Sequence, residues 1–70
     1  MDIEKIILEI LNNKLNKKLN EFNGDLDFRD DLGMSSFDFW IFIMEFENIT
    51  KHEIKNVDNI KTLNDLKSVI

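Results

Sequence analysis

The chain has 70 residues, with fourteen Asp or Glu, nine Lys or Arg, no cysteine, and a formal net charge of −5. That length holds one small domain spanning residues 1–70, and the missing thiol excludes a disulfide staple, a thiolate metal site and thiol catalysis. The acid excess argues against a nucleic-acid partner, because phosphate contacts need a basic face.

Ile3, Ile6, Ile7, Ile10, Leu11, Leu15 and Leu19 recur at helical spacing, with Asn12, Asn13, Lys14, Asn16, Lys17 and Lys18 filling much of the other face. The spacing predicts an amphipathic helix from about residue 3 to 19. Asp2 is placed to cap its start. The lysines gather toward its expected end, where the helix dipole favours cations.

Residues 20–35 read as a long loop, stopped into by Asn20, Asn23 and Gly24. Leu26, Phe28 and Leu32 lie among its acids as apolar anchors to the core. Loops of this length in so small a domain tend to be functional or disordered, and the anchors favour an ordered, functional one.

Residues 37–47 are almost continuously apolar, with only Asp38, Glu45 and Glu47 polar. Aromatic and β-branched residues favour a strand, but eleven residues is long for one and no other segment offers a pairing partner. The segment is therefore expected to be a helix, apolar on most of its circumference and largely buried. Ser35 is its expected N-cap, with Asp38 three residues on as a shortened capping box. Residues 49–56 read as a connecting loop, and 57–61 as a short helical turn. Thr62-Leu63-Asn64-Asp65 forms a second capping box ahead of a last helix that runs to the end of the chain. The expected architecture is all-α: a small four-helix bundle with a long first loop and a short third helix.

Charge is distributed unevenly along these elements. Residues 21–47 carry eight acids against Arg29 alone, a net of −7, while residues 1–20 and 48–70 each sum to +1. Such asymmetry bears on partners and solubility more than on fold. A solvated acidic loop is the plain alternative. No apolar run approaches the ~20 residues needed to cross a bilayer. Met1-Asp2-Ile3-Glu4-Lys5 lacks the basic-then-apolar layout of a signal peptide. A soluble, cytoplasmic, monomeric domain without membrane contact is expected.

Residues suited to catalysis are few. His52, the one histidine, lies in the polar stretch Thr50-Lys51-His52-Glu53 and reads as a surface residue. Asp25, Asp27, Asp30 and Asp31 lack the twelve-residue calcium-loop pattern. No phosphate-binding loop, zinc spacing or nucleophile–base pair is visible, so neither an enzyme nor a metal site is expected.

One octapeptide stands apart: Asp31-Leu32-Gly33-Met34-Ser35-Ser36-Phe37-Asp38. It resembles the signature of the acyl carrier protein family, D-L-G-x-D-S-L-D, around the serine that bears phosphopantetheine. Asp31, Leu32, Gly33, Ser36 and Asp38 match in place, and Phe37 stands for Leu. The order of expected elements resembles that family across nearly the whole chain, and Met44 and Glu47 fall where its second helix often has Met and Glu.

The resemblance implies a carrier, not an enzyme. Ser36 would bear covalent 4′-phosphopantetheine, donated by coenzyme A through a magnesium-dependent phosphopantetheinyl transferase. The pantetheine thiol would hold acyl groups as thioesters for fatty-acid, polyketide or related specialised synthesis. Acyl-transferring or synthase enzymes with basic patches would dock on Asp31, Phe37, Asp38, Met44, Glu45 and Glu47, within the acidic middle of the chain. Physics suits the assignment. A serine in the first turn of a helix lies near unpaired N–H groups that favour a phosphate, and Gly33 permits a positive-φ turn just before it.

Two other readings stay open: a carrier of aminoacyl, D-alanyl or peptidyl groups, and an unmodified interaction module of the same fold, in which Ser36 merely begins a helix. Ser35 is the fallback acceptor. The sequence departs from the family pattern at Ser35, where an Asp is usual; at Ile41, often Glu; and in its aromatic second helix, where either Trp40 fills or reshapes a cavity for acyl chains or the aromatics make up for a core without Ala.

Overall fold

The computed structural model describes residues 2–70. Three α-helices follow in order: α1 (Ile3–Asn13), α2 (Ser36–Thr50) and α3 (Leu63–Ser68), with a 3-10 turn, Val57–Asn59, ahead of α3. The expectation of an all-helical domain holds. The expected four-helix count does not, because the third element is a single 3-10 turn.

The Asp2 side chain caps α1 by accepting the Lys5 N–H at 3.1 Å. The helix ends at Asn13, well short of residue 19. The reason lies in Asn12, whose side-chain amide donates to the Leu19 carbonyl at 2.8 Å and accepts from the Leu19 N–H at 2.7 Å. This two-point clamp folds the chain back, with Asn16 and Lys18 in the left-handed region at φ 57° and 58°. Short polar side chains compete in this way with the helical backbone. Leu15, Leu19 and Phe22 still pack against the core, but from an irregular segment. No lysine occupies the last turn of α1. Lys14 is its C-cap and instead pairs with Glu45 at 3.4 Å.

The long loop is tied down along its length. Leu63 N–H donates to the Leu26 carbonyl at 3.1 Å, Phe28 N–H to the Lys61 carbonyl at 2.8 Å, and Asn64 N–H to the Gly24 carbonyl at 2.9 Å. The first two make an isolated antiparallel bridge between Asp27 and Thr62. Gly24 lies so close to α3 that a Cβ there would fall 2.0 Å from the Asn64 Oδ1. Phe28 is a fully buried anchor, Leu26 and Leu32 pack partly buried, and Met34 is buried as well.

α2 runs on to Thr50, past the expected start of a loop at residue 49. Thr50 Oγ1 donates to the Phe46 carbonyl at 2.8 Å and accepts the His52 N–H at 3.3 Å. Lys51 then closes the helix in the left-handed region at φ 61°. α3 starts with the expected reciprocal capping box: Thr62 Oγ1 accepts the Asp65 N–H, and the Asp65 carboxylate accepts the Thr62 N–H. It stops at Ser68, not at the end of the chain, and Val69 and Ile70 are exposed. An ion pair from Lys67 to Glu4 ties α3 to α1.

The core gathers Ile7, Ile10 and Leu11 of α1, Leu63 and Leu66 of α3, and the inner face of α2 around Phe28. Phe28 meets Phe39 edge-on at 5.1 Å between ring centroids and Phe42 at 5.2 Å, and Phe42 stacks on Phe46 at 6.1 Å. Such aromatic pairs stabilise by about 0.5–1.5 kcal/mol beyond the burial of their area. The expectation that α2 would be largely buried fails on its other side, where Phe37, Trp40 and Met44 are exposed. No helix among the described residues is long and apolar enough to cross a membrane.

Candidate functional site

The turn that leads into α2 is built from acidic side chains. Asp27 Oδ1 accepts the N–H groups of Arg29 and Asp30 at 2.7 and 2.8 Å. Asp31 Oδ2 reaches back to accept the Asp27 N–H at 2.7 Å. The Gly33 and Met34 N–H groups donate to the Arg29 and Phe28 carbonyls. Gly33 sits at φ 63° with nothing within 4 Å of where a Cβ would be, so its role is conformational freedom, not space. A side chain there would cost about 1 kcal/mol of backbone strain.

Ser35 follows as the N-cap of α2, its hydroxyl accepting the Asp38 N–H at 3.1 Å. An Asp at this position would cap equally well, so Ser35 preserves the local role of the residue it replaces. The Ser35 oxygen is therefore occupied, whereas Ser36, the first residue of α2, presents an exposed side chain. The backbone N–H groups of this first turn have no intrahelical partners, as at any helix start. Asp38 lies half-buried in the same turn.

Ser36 opens onto a surface cleft of about 470 Å³. Arg29 and Asp30 come to it from the turn, Trp40 from α2, Asp58 from the 3-10 turn and Lys61 from the strand-like bridge. The Arg29 guanidinium lies 5.6 Å from the centroid of the Phe39 ring, which holds it against the cleft wall. The cleft sets Arg29 and Lys61 among three carboxylates, Asp27, Asp30 and Asp58, so what favours a phosphate on Ser36 is the unpaired N–H groups of the first turn and not the charge of the cleft.

Trp40 is 55% exposed. It borders the cleft and does not fill an interior hollow; the interior beside it is occupied by Phe28, Phe39, Phe42 and Phe46. Ile41, Met44, Glu45 and Glu47 line a second depression on the far side of the α2 ridge. Glu47 accepts the Ile54 N–H at 2.7 Å, and Glu45 faces Lys14. Met44 is 63% exposed and Phe37 74%. His52 is exposed, as expected of a surface residue.

The structure thus brings Phe37, Asp38, Met44, Glu45 and Glu47 onto one helix with Ser36, and places Asp31 in the turn before it. Sequence reasoning passed over Arg29 and Lys61. The isolation of Arg29 among eight acids was the one signal for it. Nothing local marked Lys61, which reaches the cleft only through the bridge between the loop and α3. Asp65 is held below the usual carboxylate range by the N–H groups of Lys61 and Thr62, so it acts in the architecture of α3.

The sequence matches no family model. It is 32% identical to the acyl carrier protein of Exiguobacterium sibiricum, over an alignment of 72 positions that takes in 100% of this chain and 86% of that protein. With that identity over an alignment that takes in the whole chain, and with an all-helical fold, the chain belongs to the acyl carrier protein family.

Proposed function

We propose that the protein is an acyl carrier whose attachment point is Ser36. The observation that carries this reading is the position of Ser36: exposed at the first turn of α2, next to the capping Ser35, and on the lip of a surface cleft. A 4′-phosphopantetheine arm on the Ser36 Oγ would place its phosphate at the start of α2, against the N–H groups of that turn, at a cleft whose lining mixes Arg29 and Lys61 with Asp27, Asp30 and Asp58. The arm supplies a thiol that holds acyl groups as thioesters, chemistry that a chain without cysteine cannot supply itself.

The chain's own part is to present and to position. The Asp27–Asp31 turn and Gly33 fix the approach to α2, and the Ser35 cap holds its first turn rigid. The Ser36 side chain then projects from an ordered surface, which keeps the arm's origin defined while its far end moves. Phosphopantetheinyl transferase and acyl-transferring enzymes would approach over α2, where Asp31, Phe37, Asp38, Met44, Glu45 and Glu47 surround the serine. The aromatic packing beneath Trp40 supports cargo of short or specialised type over long chains drawn into the interior.

The test is intact mass after incubation with coenzyme A, magnesium and a broad-specificity phosphopantetheinyl transferase. The expected result is a gain of one phosphopantetheine that Ser36→Ala abolishes and Ser35→Ala retains. No gain with several transferases would instead favour an unmodified interaction module.

A further inference from the structure

Asn23-Gly24 is the one Asn-Gly pair in the chain; the other eight asparagines precede larger residues. Asparagine is thermolabile, because the backbone nitrogen of the next residue can attack its side-chain carbonyl carbon. A following side chain hinders that approach, and glycine offers none. The tertiary structure requires this pair. Gly24 lies so close to α3 that a Cβ would fall 2.0 Å from the Asn64 Oδ1, so a larger residue does not fit. Asn23 heads the turn over residues 23–26. Its carbonyl accepts the Leu26 N–H at 3.2 Å, and its Oδ1 accepts the Asp25 N–H at 3.0 Å, a role that suits a short amide side chain. The same contacts restrain the chemistry. Both oxygens of Asn23 are held, and the Gly24 carbonyl accepts the Asn64 N–H at 2.9 Å. The peptide between the two residues is therefore fixed, and its nitrogen does not swing onto the Asn23 Cγ. Asn23 itself is exposed, so water has access to it.

We propose that Asn23 is a site of spontaneous deamidation guarded by the contact between the long loop and α3, so that opening this contact exposes the chain to an irreversible change. In the open loop the Gly24 N–H gives its proton to solvent hydroxide, the nitrogen bonds to the Asn23 Cγ, and Nδ2 takes up a proton and leaves as ammonia. Water then opens the succinimide ring. Cleavage between nitrogen and Cγ yields aspartate. Cleavage between nitrogen and the main-chain carbonyl carbon yields isoaspartate, whose backbone runs through Cβ and Cγ. Nothing is oxidised or reduced, and the chemistry needs no arm on Ser36. The isoaspartyl backbone is longer by one methylene, so the bonds from Asp25, Leu26 and Asn64 do not all re-form. The loop then stays off α3, and the neighbouring pairing of Leu26 with Leu63 and of Phe28 with Lys61 loses its support. A reversible local opening becomes a permanent loss, and the lifetime of the fold is set by a rate.

The experiment ages the folded protein and a guanidinium-unfolded sample side by side in warm, mildly alkaline buffer. Peptide mass follows the gain of one mass unit at Asn23, and protein isoaspartyl methyltransferase with a labelled methyl donor counts isoaspartate. Modification is expected to run roughly tenfold or more slowly in the folded protein. Asn23→Ser, whose hydroxyl still accepts a turn N–H, is expected to abolish it. Thr62→Ala opens the cap beside the contact and is expected to speed it roughly fivefold. Thr50→Val destabilises the end of α2 instead, and is expected to speed it less than about twofold. The isoaspartyl fraction is expected to unfold at a lower urea midpoint than the parent. Absence of modification in the unfolded sample overturns the site. Equal rates in the two samples overturn the guard. Equal acceleration by Thr62→Ala and Thr50→Val places the chemistry in the globally unfolded chain and overturns it as well. An isoaspartyl fraction with the parent's midpoint overturns the loss of the loop contact.

Discussion

The two faces of α2 are made of the same kinds of residue and meet opposite fates. The inner face carries Phe39, Phe42, Ile43 and Phe46, all buried, and closes with the buried Thr50. The outer face carries Phe37, Trp40 and Met44, all exposed. Composition does not separate them; register against α1 and the Phe28 anchor does. The comparison shows that apolar content in this helix reflects two demands. One face holds a small core together. The other borders Ser36, the proposed attachment point, where a monomer gains nothing from apolar surface.

The sharpest way to break this contrast is to truncate an inner aromatic. Phe42→Ala removes the ring that contacts both Phe28 and Phe46, and should cost about 3–5 kcal/mol. For a domain of this size that is most of its stability, so a urea titration should show a collapsed or absent folded baseline.

Thr50→Val tests the polar end of the same face. It removes the acceptor of the His52 N–H and the donor to Phe46, and should cost about 1–2 kcal/mol, read as a lower urea midpoint with an unchanged slope. Thr62→Ala should cost about 1 kcal/mol by opening the capping box of α3.

That box also separates the two helix starts by pH. The Asp65 carboxyl is held below its usual range by the N–H groups of Lys61 and Thr62. The folded state therefore favours the charged form. Its contribution is present above the ordinary carboxylate value of about 4 and is lost as pH falls through the lower folded value. The cap of α2 is a serine hydroxyl and does not titrate. Protection factors for Lys61 and Thr62 should fall between about pH 5 and pH 2 more than that of Asp38; equal loss at both helix starts would contradict this account. The smallest effect belongs to the outer face: Phe37→Ser should change stability by no more than about 0.5 kcal/mol in the same urea assay.

Much of the site was legible because it is local. The Ser35 cap, the Thr62–Asp65 box, the turn at Gly33 and the position of Ser36 all follow from residues within four places of one another. The end of α1 was not legible, because it depends on Asn12 reaching Leu19 across seven residues while Leu15 and Leu19 keep a helical spacing outside any helix. Whether Trp40 fills a cavity was not legible either, because that depends on Phe28, which arrives from the loop and packs on Phe39 and Phe42 while Trp40 stays 55% exposed.

By itself, then, the sequence determined the caps, the helix starts, the glycine turn and a net charge of −5 whose acid excess lies within residues 21–47, since each of these rests on short-range bonding or on simple addition. Only the tertiary structure decided which face of α2 meets water and which carboxylates are already bonded within the molecule. Those outcomes depend on what arrives from elsewhere in the chain: Phe28 from the loop, Lys14 from the end of α1, and the Ile54 N–H from the segment after α2. A packed core is a competition for space and for hydrogen-bond partners, and spacing along one helix does not name the winners.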